Sequence, residues 1–281
     1  MITDSIIIMA AGASSRMKKP SSINNLSKNQ IKSADSKSKV LIEFGSEQKP
    51  FISYSISNII NSGFKNIYII TSEKASTFRN NYKDILKLDL SNCNIFFSIQ
   101  YLAINRIKPL GTADAIFQTM EQFPQLKSQS FCVCNGDNLY SVESLKEIKN
   151  TLSKNAFIAY DRDGLKFSKK RISSFSIAKL DRENFLIGII EKPSKILINN
   201  SLDGFGKIRV NMNLFKFEGE ICYIFFKQCP INKIRKEKEI TDVLKNMILD
   251  NKKHIMGISM YDNVLDLTSK NDIIEVQKHL L

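Results

Sequence analysis

Histidine is almost absent: the chain has only His254 and His279, both near its C-terminus. That scarcity argues against a histidine-rich metal centre and against a Ser-His-Asp triad. Any metal is therefore expected to be a hard ion held by carboxylates. Cysteine is sparse too. Cys93, Cys132, Cys134, Cys222 and Cys229 are odd in number and form no C-x-x-C pair, a pattern that fits reduced thiols in a cytosol. Cys132 and Cys134 sit in an apolar run, where small buried side chains explain them better than reactivity does. No apolar run comes near about 18 residues, so no membrane span is expected. Residues 1–10 lack the basic flank, the length and the cleavage pattern of a signal peptide. Basic residues interleaved with aromatics are also missing, which argues against a nucleic-acid partner.

What remains is a 281-residue chain, 43% hydrophobic and 25% charged, the composition of a soluble globular protein with length for a sizeable core. Its net charge of +13 is spread along the chain, and the densest cluster, RKEK at 235–238, is mixed with acid. Small anionic substrates fit that charge, although the abundance of Lys, Asn and Ile is equally consistent with a biased genome.

Short apolar runs alternate with helix-like stretches through the first half. Strands are expected at 6–10, 66–71, 94–100, 131–134 and 156–160, with helices at 51–63, 112–122 and 141–150. Such alternation predicts an α/β fold, a Rossmann-like and mainly parallel sheet with helices on both faces. After residue 170 the texture changes. Strand-like runs at 173–180, 185–191 and 210–217 predict antiparallel additions, and 239–250 reads as a helix. Two segments, 18–37 and 194–206, read as polar loops. No internal repeat or clear boundary divides the chain. It is expected to form one domain, with halves at about 1–150 and 151–250 and a C-terminal tail at 251–281.

In open parallel sheets, ligands sit at the carboxyl ends of the strands. Two stretches take that position here, MAAGASSR at 9–16 and NGDN at 135–138. The first passes from a buried strand into small residues that let the backbone approach a ligand, and it ends in Arg16, which suits an anion. An ordinary strand-to-helix turn fits this stretch equally well. Asp137 follows a strand directly, a frequent place for a magnesium ligand, and a capping or turn aspartate is the plainer alternative.

A family resemblance joins these pieces. MAAGASSRM at 9–17, KVL at 39–41, PLGTADA at 109–115, NGDN at 135–138, EKPS at 191–194 and EITD at 239–242 occur in one order. Together they resemble the sugar-nucleotide pyrophosphorylases, nucleotidyltransferases that join a nucleoside triphosphate to a sugar 1-phosphate. The resemblance implies Mg²⁺ as cofactor, with Asp137 and Asp242 as its two ligands, and Arg16 and Lys39 as the cations that neutralise the reacting phosphates. It places the nucleotide against Met9, Ala11, Gly12, Ala13, Ser14, Ser15, Arg16, Gln100, Gly111 and Thr112. Gln100 matches the glutamine that reads the base edge, and Gly111 lets the base lie close. Asn138, Glu191, Lys192 and Asn211 (or Asn213) would hold the sugar phosphate. Asp114 gains no role from the resemblance beyond capping the helix that follows. The partners implied are the two small substrates, with a homo-oligomer left open.

Three departures qualify the match. The distance from Arg16 to Lys39 is long, the first loop is alanine-rich as in cytidylyl- and cofactor-guanylyltransferases, and NMNLF at 211–215 lacks the family's glycine before the aromatic. GTADA resembles the adenylyl-glucose branch, but no hexapeptide-repeat β-helix follows it. The alternatives are a cytidylyltransferase for a non-sugar alcohol phosphate, a glycosyltransferase using the Asp161-Arg-Asp163 pattern, and an inactive nucleotide-sugar-binding regulatory protein.

Overall fold

A computed structural model describes residues 3–20, 26–173 and 175–280. The organising strand is β1 (Ser5–Met9). Ile6, Ile7 and Ile8 are each fully buried, although side chains along a strand alternate between faces. Both faces of this strand are therefore covered, as its run of isoleucines requires.

Four strands build the first half of the sheet: β1, β2 (Asn66–Ser72), β3 (Asn94–Gln100) and β4 (Ser130–Asn135). β2 and β4 flank β1 in parallel, and β3 pairs in parallel with β2 at the edge. The second half adds β5 (Ala156–Asp161), β6 (Ile177–Leu180), β7 (Leu186–Ile190), β8 (Arg209–Glu218) and β9 (Met256–Met260). β8 runs antiparallel to β4, β5 and β6, and β9 lies parallel to β5. Among the described residues this sheet has nine strands, ordered β7-β6-β8-β4-β1-β2-β3, with β5 and β9 off that path. The fold is the mixed, mainly parallel α/β arrangement that the alternation predicts.

The longer helices are α1 (Lys28–Ser36), α2 (Phe51–Asn61), α3 (Thr112–Gln122), α4 (Val142–Asn150), α5 (Gly219–Lys227), α6 (Ile240–Asp250) and α7 (Asp272–Leu280). One core packs Ile6, Ile8, Ile67 and Ile69 with α2 and α4. The other packs Ile7, Tyr68, Ile70 and Val133 with α3, α5 and α6.

Four expectations need correction. The polar stretch 18–37 is not all loop, because α1 occupies its second half. Ser27 and Gln30 form a reciprocal capping box there, a start signal strong enough to begin a helix that apolar content alone does not suggest. Residues 194–206 contain a short helix at Lys195–Asn199. α5, absent from the expectation, buries Cys222 and Phe226 behind β8. Residues 251–281, read as a tail, contribute β9 and α7. A short strand at Leu265–Asp266 pairs with Asn138–Leu139. A third core cluster joins Leu26 and Ala34 to Leu265, Leu267, Ile273 and Val276, so the α1 excursion and the C-terminal segment cover each other.

Candidate active site

β1 and β4 end side by side, which brings the two small-residue stretches together. The Gly136 amide donates to the Met9 carbonyl at 3.0 Å. A Cβ on Gly136 would lie 3.0 Å from that oxygen and 3.2 Å from the Ala10 Cβ, so the close approach depends on glycine. Ser14 adopts φ +53°. Its hydroxyl accepts from the Lys39 amide at 3.1 Å. That bond seats Lys39 against the first loop despite the intervening α1. The Lys39 ammonium then pairs with the Asp137 carboxylate.

Two cavities open here. One, of about 370 Å³, is bordered by residues 9–16, Lys39, Gln100, Gly111, Thr112 and Asp137. The other, of about 490 Å³, is bordered by Asp137, Asn138, Glu191, Lys192, Asn211 and Asn213. Arg16, Thr112, Asn135, Asp137 and Thr268 border both. Each residue expected at the site therefore reaches one or both cavities, with one exception.

The exception is Asp242. It stands in the first turn of α6, pairs with Lys245 at 3.1 Å, accepts from Asn232 at 3.4 Å and borders neither cavity. The structure does not bring it to Asp137. The carboxylate beside Asp137 belongs to Asp266. The pairing of Asp266 with Asn138 across the short strands places it there, and the Leu267 amide donates to the Asp137 carbonyl at 2.8 Å. Burial pushes the Asp266 carboxyl up and the Asp137 charge adds to the rise, while Arg171, paired with it at 2.9 Å, opposes it. Among the described residues no cluster of three or more His, Cys, Asp or Glu could hold an ion. Two carboxylates plus ligand phosphates still suit Mg²⁺, which takes few protein ligands.

Beside the expected Asn138, Glu191, Lys192 and Asn211, the second cavity is bordered by Arg171, Arg235 and Glu239. Glu191 is fully engaged, accepting from the Thr241 hydroxyl at 2.6 Å and pairing with Arg235 at 3.3 Å. Glu239 gives one oxygen to Arg235 at 2.6 Å, and burial pushes its carboxyl up. Its Oε2 is buried without a partner among the described residues, as is the Asn138 Nδ2. Both residues border this cavity, but the two atoms themselves lie beneath its surface. Arg171 stacks on Phe167, pairs with Asp266 and Asp272, and borders the same cavity. The only sequence signal for Asp266 is the Thr268-Ser269 to Asp272 spacing after it, a helix-start pattern that marks ordered chain where a tail was expected. Asp161 and Asp163 pair instead with Lys207 and border neither cavity.

The family model described as Nucleotidyl transferase matches residues 6–281. Among curated proteins, the chain is 27% identical over 233 residues to the bifunctional protein GlmU of Methanococcus maripaludis, covering 83% of this chain and 47% of that protein. It is 24% identical over 163 residues to glucose-1-phosphate adenylyltransferase 1 of Vibrio vulnificus, covering 57% of this chain and 39% of the relative. The chain thus spans less than half the length of these relatives. No described helix is long and apolar enough to cross a membrane.

Proposed function

Because the chain belongs to the nucleotidyl transferase family, we propose that it joins a nucleoside triphosphate to a sugar 1-phosphate, yielding an NDP-sugar and pyrophosphate. One observation carries this reading: two adjoining cavities share a wall made of Arg16, Asn135 and Asp137. The small-residue loop on one side suits a triphosphate. The polar lining on the other side, with Asn138, Glu191, Asn211 and Asn213, suits sugar hydroxyls.

A sugar 1-phosphate has a second pKa of about 6 and is mostly dianionic near neutrality, so its oxygen needs no general base. That oxygen forms the new bond to the α-phosphorus. The bond from the α-phosphorus to the bridging oxygen breaks, and its electron pair leaves on pyrophosphate. Arg16 and Lys39 stand at the nucleotide cavity as fixed cations for the phosphate oxygens. Lys192 and Arg235 border the acceptor cavity, where a second phosphate would lie. Asp137 and Asp266 would hold Mg²⁺, with Asp266 in the place expected for Asp242. When bound, Mg²⁺ supplies further neutralisation of phosphate charge.

The test is pyrophosphate release across the common nucleoside triphosphates crossed with a panel of sugar 1-phosphates. The expected result is release that requires one sugar phosphate and vanishes in Asp137→Asn. Triphosphate binding without release across the panel would move the acceptor to a non-sugar alcohol phosphate or the chain to a binding role. No triphosphate binding at all would end the reading.

A further inference from the structure

Asp114 is the one charged residue of the PLGTADA stretch, and it is buried at the first turn of α3. Its Oδ2 accepts from the Gln100 Nε2 at 3.2 Å and from the Gln118 Nε2 at 2.9 Å. The Gln100 amide nitrogen also donates to the Gly111 carbonyl at 2.9 Å. Both of its N–H groups are thereby used. The orientation of this amide follows from its partners: a carbonyl and a carboxylate can only accept, so Nε2 must face them. No donor among the described residues reaches the Gln100 Oε1. Gln100 borders the nucleotide cavity.

The support behind Gln100 is built on helical spacing. Asp114, Gln118 and Gln122 recur every fourth residue and so share one face of α3. That face lies against β3, the edge strand of the sheet. Gln118 accepts from the Tyr101 amide at 2.8 Å and donates to the Tyr101 carbonyl at 3.2 Å. Gln122 does the same at Ile99, at 2.9 and 2.8 Å. Two side-chain amides thus pair with alternate residues of the edge as a further strand would. Gln100, between them, points its side chain the other way, inward onto Asp114.

We propose that Asp114 is a specificity-positioning residue, which fixes Gln100 so that it offers the base an acceptor and never a donor. The site then takes a base that presents an N–H to Gln100 and rejects one that presents only acceptors there. This inference rests on the nucleoside triphosphate reading of the cavity.

The test is direct binding, in the presence of Mg²⁺, of UTP, ATP, GTP and CTP. Each is paired with N3-methyl-UTP, N6,N6-dimethyl-ATP, N1-methyl-GTP or N4,N4-dimethyl-CTP, which lack the N–H in question. For the best-bound parent, its methylated partner should bind the wild type more weakly by about tenfold or more, since a buried acceptor is left unpaired. In Asp114→Asn, whose amide can donate to a reversed Gln100, and in Asp114→Ala, which leaves Gln100 held by the Gly111 carbonyl alone, that ratio should fall below about threefold. The sugar 1-phosphate KM should stay unchanged. Equal binding of parent and methylated forms by the wild type would overturn the inference without touching the reading beneath it. A ratio that persists in both variants would reflect methyl bulk alone and would also overturn it. Failure of every parent to bind would instead remove the triphosphate reading. The wild-type comparison needs no variant, so a variant that fails to fold leaves the inference open to refutation.

Discussion

Gly111→Ala should damage stability and nucleotide binding together, because Gly111 sits where three segments meet. Its φ of +118° with ψ of −177° lies in a region essentially reserved for glycine. A Cβ there would come within 2.3 Å of the Lys238 carbonyl oxygen and 2.9 Å of its nitrogen. Those atoms are backbone, so no rotamer change relieves the contact. The Lys238 amide donates to the Leu110 carbonyl at 2.6 Å, and the Lys238 carbonyl accepts from Ala113 at 3.0 Å. Moving Lys238 away therefore strains both bonds. The backbone strain costs about 1–3 kcal/mol and the overpacking a similar amount, about 2–6 kcal/mol together. At about 2.1 cal/mol/K per residue, the unfolding entropy of this chain is about 0.6 kcal/mol/K, so Tm should fall by about 3–10 °C. Differential scanning calorimetry measures the shift, and nucleotide titration the accompanying loss of affinity. Gly12→Ala is the control: a Cβ there meets nothing within 4 Å, and Tm should move by less than about 2 °C. A Gly111→Ala protein with wild-type Tm and affinity would refute the argument.

Other substitutions separate the remaining assignments. Asp266→Asn should lower Mg²⁺-dependent pyrophosphate release by about a hundredfold or more, while Asp242→Asn should stay within about threefold; the reverse ranking would restore the pair expected from sequence. Asp272→Ala removes the acceptor for the Thr268 and Ser269 amides at the start of α7 and breaks the pair with Arg171. It should cost about 2–4 kcal/mol in a urea titration, and a loss under about 1 kcal/mol would contradict the role given to this cluster. Burial pushes the thiols of Cys132, Cys134 and Cys222 up, and that of Cys229 up to about 11, whereas Cys93 alone is partly exposed. A thiol reagent at neutral pH should therefore label one cysteine in the native protein and all five in denaturant. Rapid native labelling of a second thiol would count against the packing described.

The parts of the fold legible in sequence are those where one signal dominates. The strand Asn94–Gln100 and the helix Thr112–Gln122 match their expected limits, because an apolar run and a glycine start leave little choice. α1 escaped because its mean polarity hides a capping box, and α5 because the short apolar and aromatic run of GEICYIFFK, directly after a strand, reads equally as strand or helix. At the site, the motifs that end a β-strand reach the cavities, since sheet topology alone puts strand ends together. Asp242 does not, because it lies in a helix, where the side-chain direction depends on the packing of the helix and not on the chain's path. Asp266 could be found only through a pairing with Asn138 that spans more than a hundred residues, and no local pattern encodes such a partner.

The long spacing between Arg16 and Lys39, a departure at the level of sequence, has a physical counterpart in that pairing. The extra chain folds into α1, whose Ala34 packs in one cluster with Leu265, Leu267 and Ile273. Lys270 reaches back to the Lys19 carbonyl at 3.1 Å and pairs with Asp35. The segment carrying Asp266 is thus held from one side by the α1 excursion and from the other by Asn138–Leu139. Ser14 keeps Lys39 against the first loop at the root of the same excursion. Lys39, Asp137 and Asp266 are therefore positioned by one connected unit, although they lie on segments far apart in the chain. An insertion that lengthened the spacing without supplying this packing would leave Asp266 on an unsupported strand. The departure and the site are consistent because the inserted residues buttress the segment that completes it.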